Sequence, residues 1–287
     1  MKKILTFLAI AFFALQLSVA NAATATVWTS GPNFERVNTI GRNLLTKNNL
    51  PNNIKFVVQQ SDDINAFANI EGEVWVFTGL LKFVTNDDEL AAVIAHEIGH
   101  IVNHHVAKQN TVNTLGGGFL SWLGLGGKAQ TAATTAATMG LLKMSRTDEY
   151  ESDITGTDLM VVAGYNPLGM VSMLNSLNAG GTTVDFLSTH PAGDKRTMNV
   201  WDYLNYTYPA KTKVTYDNAS FKKFMEYAKP IVDARNADPK KLEKFNKEQK
   251  KLQEKRIAQM QKYQKANGKS AWDRSFNAIQ IINSLGQ

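Results

Sequence analysis

The apolar run from Leu90 to Ala95 leads directly into His96-Glu97-Ile98-Gly99-His100. Asn86-Asp87-Asp88-Glu89 stands in front of it. An Asn cap with acids in the first turn suits the positive end of a helix dipole, so a mostly buried helix is expected from here to about Ala107. On such a helix, at ~100° per residue, positions four apart lie ~40° from each other, one turn along. His96 and His100 then share a face and can grip one metal ion, with Glu97 on the flank of that face. This H-E-x-x-H spacing suits zinc chemistry. Zinc brings the pKa of a bound water towards ~7, and a nearby carboxylate can take the proton and return it to a leaving amine.

A hydrolytic zinc site keeps three protein ligands and one open position, so a third ligand is required. The extended pattern H-E-x-x-H-x-x-G-x-x-H would need Gly at 103 and His at 106; Asn103 and Val106 exclude that pattern. His104 and His105 follow the motif. On a continuing helix His105 points away from His96 and His104 lies at the edge of the face, so both read as surface or structural histidines. The acidic cluster Asp148-Glu149-Tyr150-Glu151-Ser152-Asp153 is the better source, since it opens another helix. Glu149 and Asp153 share a face there, and Glu151 points elsewhere. One carboxylate on the metal and one behind a ligand imidazole is a common arrangement. Spacing alone leaves Glu149 and Glu151 both open.

The rest of the chain reads as α+β. Pro32 to Lys47 has helical spacing, Ile54 to Gln60 is strand-like, and Asn65–Asn69 and Glu73–Leu81 form two further strands about a turn at Glu71-Gly72. Leu115 to Gly127 is glycine-rich with large apolar residues. It fits a substrate-admitting lid, a membrane-touching patch or an ordinary surface loop. Lys128 to Met144 is expected to be helical, as are Arg146 to about Ala163, a segment from Leu168, and the chain from Ala219 onward.

With 287 residues, 44% of them apolar, the chain can bury a substantial core. Lys2 and Lys3, the uncharged run Ile4 to Ala20 and the small residues of Ala20-Asn21-Ala22 form a signal-peptide pattern with cleavage expected after Ala22. There is no cysteine, which removes disulfides, thiolate ligands, a cysteine nucleophile and the acceptor for a lipid anchor. The expected product is therefore released and periplasmic, with a peripheral membrane contact left open. The formal charge is +6 for the whole chain, and Lys240 to Lys269 carries eleven Lys/Arg against three Glu. The basicity thus belongs to a tail, read as a solvated helix or as a surface for anionic lipid head groups or an acidic partner protein. No aromatic-basic motif suggests nucleic acid.

Several segments together resemble one zinc metallopeptidase family, the HtpX, CAAX prenyl protease and BepA–LoiP type. They are Asn65-Ala66-Phe67, Thr78-Gly79-Leu80, Ala91 through His100, Ser145-Arg146 with Glu149 to Asp153, Gly164-Tyr165-Asn166-Pro167, and Ser188-Thr189-His190-Pro191 with Arg196. They occur in the family's order over about residues 33 to 200. The resemblance implies a zincin-like, mostly helical core with a small sheet, followed by a basic helical extension. The expected boundaries are 1–22 for the signal peptide, 23–210 for the catalytic domain and 211–287 for the extension. It implies Glu149 as the third ligand of one zinc beside His96 and His100, with Glu97 as base. Asp153 stands behind the metal, at a position sometimes given proton donation. His190 approaches the zinc or the oxyanion, and Arg196 is a supporting partner. Asn65-Ala66-Phe67 would belong to an edge strand beside the zinc, able to pair with an extended substrate. The implied activity is endoproteolysis of misfolded or unassembled envelope proteins. The alternative is a latent or non-proteolytic periplasmic chaperone that retains the zinc site.

Overall fold

The computed structural model describes residues 26–108, 144–180, 186, 190 and 194–268. The expectations for the signal peptide, the 115–127 loop and nearly all of the helix from Lys128 lie outside these residues. Strand β1 (Val27–Trp28) precedes helix α1 (Pro32–Lys47), whose Pro32 stands in the first turn and whose Val37, Ile40, Leu44 and Leu45 are buried. β2 (Lys55–Gln59), β3 (Ala66–Ala68) and β4 (Glu73–Phe77) complete a four-stranded sheet in the order β1-β2-β4-β3. β2 and β4 are parallel, with Phe56 opposite Val74 and Val58 opposite Val76, while β1 and β3 pair antiparallel to their neighbours.

β4 stops at Phe77, and helix α2 (Thr78–Phe83) takes the residues expected to extend the strand to Leu81. Nonlocal backbone contacts decide this. Gly79 donates its N–H to the Ser61 carbonyl at 2.8 Å, and Thr78 Oγ1 donates to the same oxygen at 2.7 Å. A Cβ on Gly79 would lie 2.3 Å from the carbonyl oxygens of Asp62 and Asp63, so the turn needs glycine.

Helix α3 (Asp87–Val102) carries the motif, with the Asn86 side chain accepting from the Glu89 N–H as cap. It ends at Val102, short of the expected Ala107. Asn103 caps it and His104 takes a left-handed φ of 60°, after which one more helical turn covers residues 105–108. Helix α4 (Arg146–Ala163) starts from a capping box between Ser145 and Asp148 and stops at Gly164, whose φ of 87° makes a left-handed cap. α5 (Leu168–Gly180) follows, then α6 (Asp194–Thr207), which the residue pattern did not suggest, and finally α7 (Ala219–Asn236) and α8 (Pro239–Asn267). The architecture is α+β, mostly helical with a small mixed sheet. None of the described helices is long and apolar enough to cross a membrane.

α3 and α4 pack closely enough to bring their side chains to one point. A Cβ on Gly156 would sit 2.9 Å from the backbone nitrogen of His96 and 3.0 Å from the Ala95 carbonyl carbon. Gly156→Ala is therefore expected to push the two helices apart and destabilise the protein by about 1–3 kcal/mol, read as a lower urea midpoint. An unchanged midpoint would show that the contact is not tight.

The basic helix α8 is not wholly solvated. One stripe of it, including Gln253, Arg256 and Met260, is buried. Gln253 donates to Thr207 Oγ1 at 3.0 Å and Arg256 Nε to Asp158 Oδ2 at 2.8 Å, tying the tail to α6 and α4.

Candidate metal centre

His96 and Glu97 project from the second half of α3 and His100 from its last turn, Glu149 from the first turns of α4, and His190 from the segment ahead of α6; all five are buried. His96, His100, Glu149 and His190 each offer one donor atom, and these atoms lie within 4.8 Å of one another. The two Nε2 atoms of His96 and His100 are 3.0 Å apart. Glu149 places Oε1 3.4 Å from His100 Nε2 and Oε2 3.6 Å from His96 Nε2. His190 Nδ1 is 3.3 Å from His96 Nε2 and 3.0 Å from Glu149 Oε1. Donors bound at about 2.0–2.1 Å to a tetrahedral ion sit about 3.3 Å apart, so these separations fit the edges of one tetrahedron. The donor set of imidazoles and one carboxylate fits the same ion type.

Electrostatics prepares these groups. Burial pulls the His100 pKa down to about 3, so its ring is neutral with a lone pair free for a cation. Burial alone would raise the pKa of Glu149, but His190, His100 and Arg196 outweigh it and hold the carboxyl well below its ordinary range. Burial also opposes the charged form of His190, yet the Glu149 and Glu97 carboxylates prevail and raise its pKa. Glu97 is pushed up by burial, against the charges of His190 and His96. It stands outside the donor cluster, with Oε1 3.4 Å from His190 Nε2 and its carboxylate facing the Ala68 backbone.

A second layer holds the first. His96 Nδ1 lies 2.9 Å from Asp153 Oδ1. Arg196 grips Asp153 through two bonds, Nε to Oδ2 at 2.8 Å and Nη2 to Oδ1 at 2.7 Å, and reaches Glu149 Oε2 with Nη1 at 2.7 Å. Burial pushes Asp153 up, but Arg196 and His96 bring its pKa below the ordinary value. Both Asp153 oxygens are thus engaged by the Arg196 guanidinium, with His96 Nδ1 close to Oδ1. The His190 ring stacks on Phe186, centroids 4.2 Å apart at 13°.

Among the sequence candidates, Glu149 stands in the donor cluster and Glu151 does not. His104 is exposed, and His105 is buried. His105 does not point away from the site as a continuous helix would require. The left-handed turn at His104 swings it back, and its Nδ1 comes 3.1 Å from His100 Nδ1. Helical phase could not reveal this, because the signal is the break in the helix. β3 is an edge of the sheet among the described residues, with Asn65 leading into it, and its Ala68 lies beside Glu97.

Comparison with known proteins gives a consistent picture. The family model described as Peptidase family M48 matches residues 32–202. The chain is 28% identical to the beta-barrel assembly-enhancing protease of Yersinia pestis over 230 residues, which are 74% of this chain and 47% of that protein. It is 29% identical to the metalloprotease LoiP of Escherichia coli K12 over 185 residues, 58% of this chain and 68% of the relative. It is 38% identical to the mitochondrial metalloendopeptidase OMA1 of Arabidopsis thaliana over 135 residues, 46% of this chain and 28% of the relative. The chain therefore spans less than half the length of the first relatives it matches.

Proposed function

The chain belongs to peptidase family M48, and from that membership we propose that it is a zinc-dependent endopeptidase acting on envelope proteins. The observation that carries the reading is the convergence of His96, His100 and Glu149 on one point with the Glu97 carboxylate beside it. His96, His100 and Glu149 would hold one zinc ion. When bound, zinc supplies a Lewis acid that polarises a peptide carbonyl and lets water lose a proton near neutral pH.

The chain's own residues do the rest. Glu97 takes the proton from the attacking water and passes it to the leaving amine. Its raised pKa suits a group that must both accept and release a proton. Asp153 orients His96, and Arg196 locks Asp153 and Glu149 into one unit. His190, raised in pKa between two carboxylates, can donate a hydrogen bond to the substrate oxygen as negative charge grows there, once it leaves the cluster. An extended segment pairs with the β3 edge that is open among the described residues, which brings its backbone past Glu97 with little demand on sequence.

The name of the beta-barrel assembly-enhancing relatives supports envelope proteins, misfolded or unassembled, as substrates. We place the protein in the periplasm, exported by residues 1–22, with 23–210 as the catalytic unit and 211–287 as a basic extension. That extension is suited to an anionic membrane surface or an acidic partner. One observation favours the second reading, a latent enzyme or assembly chaperone: His190 Nδ1 stands in the fourth donor place that substrate and water require.

Stripping the metal with a chelator is expected to abolish casein cleavage, and adding back one equivalent of zinc to restore it. Cleavage that persists in metal-free protein would sink the reading.

A further inference from the structure

The two histidines of the motif are held from behind in different ways. On each, Nε2 faces the donor cluster, which leaves the ring proton on Nδ1. Behind His96, Nδ1 stands 2.9 Å from a carboxylate oxygen, Asp153 Oδ1, a close approach without the alignment of a formed hydrogen bond. Among the described residues, no carboxylate stands at that position behind His100. Its Nδ1 meets the Nδ1 of a second histidine, His105, at 3.1 Å.

The proton assignment then follows along a chain. His105 Nδ1 accepts from His100, which leaves the His105 proton on Nε2. That nitrogen lies 3.3 Å from Glu151 Oε2, so the carboxylate is reached through one imidazole instead of directly. Ser152 Oγ also lies 3.2 Å from His105 Nδ1. His105 is 4% exposed, so water does not compete freely for these bonds. Glu151 Oε1 is in turn gripped by Lys255 Nζ of α8.

We propose that His105, backed by Glu151, is a positioning residue for His100, fixing its tautomer and ring orientation for metal binding. The Glu151 charge makes His105 a better acceptor, and His105 passes that effect to the ligand nitrogen of His100. Asp153 stands at the matching place behind His96, 2.9 Å from its Nδ1. The proposal rests on the metal-site reading above.

The test is zinc affinity by chelator competition on the full chain, with melting temperatures of the metal-free forms measured alongside. His105→Ala is expected to weaken zinc binding by about 10–100-fold. His105→Asn puts an amide oxygen near the place of Nδ1 but severs the link to Glu151, and should recover part of the loss. Glu151→Gln can keep an oxygen toward His105 but removes the charge and with it the ion pair to Lys255, so it should show a smaller loss of zinc affinity, read against its own metal-free melting temperature. Zinc binding by His105→Ala within about twofold of the parent would overturn the proposal. So would a His105→Asn variant no better than His105→Ala together with a Glu151→Gln variant equal to the parent, since the role would then be packing. A parent chain that binds no zinc would remove the metal-site reading itself, and this proposal with it.

Discussion

Glu97→Gln is expected to lower peptide-bond cleavage by about 10²–10⁴-fold while the protein keeps its zinc. The two side chains have nearly the same shape, so the packing around residue 97 survives. Glu97 is not one of the four converging donors, and the change removes no ligand. What is lost is the ability to take a proton, because a neutral amide has no basicity to offer. Metal content and casein cleavage should be measured together on both proteins. Zinc in both with cleavage only by the parent is the expected pair of results. Equal cleavage by both would exclude Glu97 as the base. Zinc in both and cleavage in neither would favour the latent reading, and His190→Ala would then be expected to release activity.

Arg256→Met should destabilise the protein by about 3–5 kcal/mol, although residue 256 lies in the Lys-rich tail. Arg256 is 1% exposed and donates to Asp158 Oδ2, while Asp158 Oδ1 accepts from Tyr203 at 2.7 Å and Tyr208 at 2.8 Å. Asp158 is fully buried, so removing the guanidinium strands a carboxylate that has two hydroxyl donors but has lost its cation. Adding Asp158→Asn to Arg256→Met should recover much of the loss, because the amide oxygen still accepts from both tyrosines and carries no charge. Urea unfolding of the parent, the single variant and the double variant reads this directly. A single variant within about 1 kcal/mol of the parent would mean that α8 does not depend on this pair.

The consequence for organisation is physical. The boundary expected near residue 210 rests on composition alone, yet α8 returns to place Arg256 on α4, two turns beyond Glu149. A run of lysines signals solvent because each is read alone. The single buried stripe that carries Gln253, Arg256 and Met260 shows only when the partner helices are in place.

Local patterns decided a large part of this protein. The Asn86 cap, the Ser145 capping box, the left-handed Gly164 and the four-residue spacings of His96 with His100 and of Glu149 with Asp153 depend on residues within a turn or two of one another. They are therefore legible in the order of amino acids. The tertiary structure alone decided the rest. It bent the chain into a helix at Thr78 through the carbonyls of residues 61–63, and it set Arg196 between Glu149 and Asp153. It brought His190 to the donor cluster across 94 residues, and it turned His105 back upon His100 by a left-handed residue at 104. Each of these rests on contacts between distant segments or on a break in periodicity, and spacing along a chain carries information about neither.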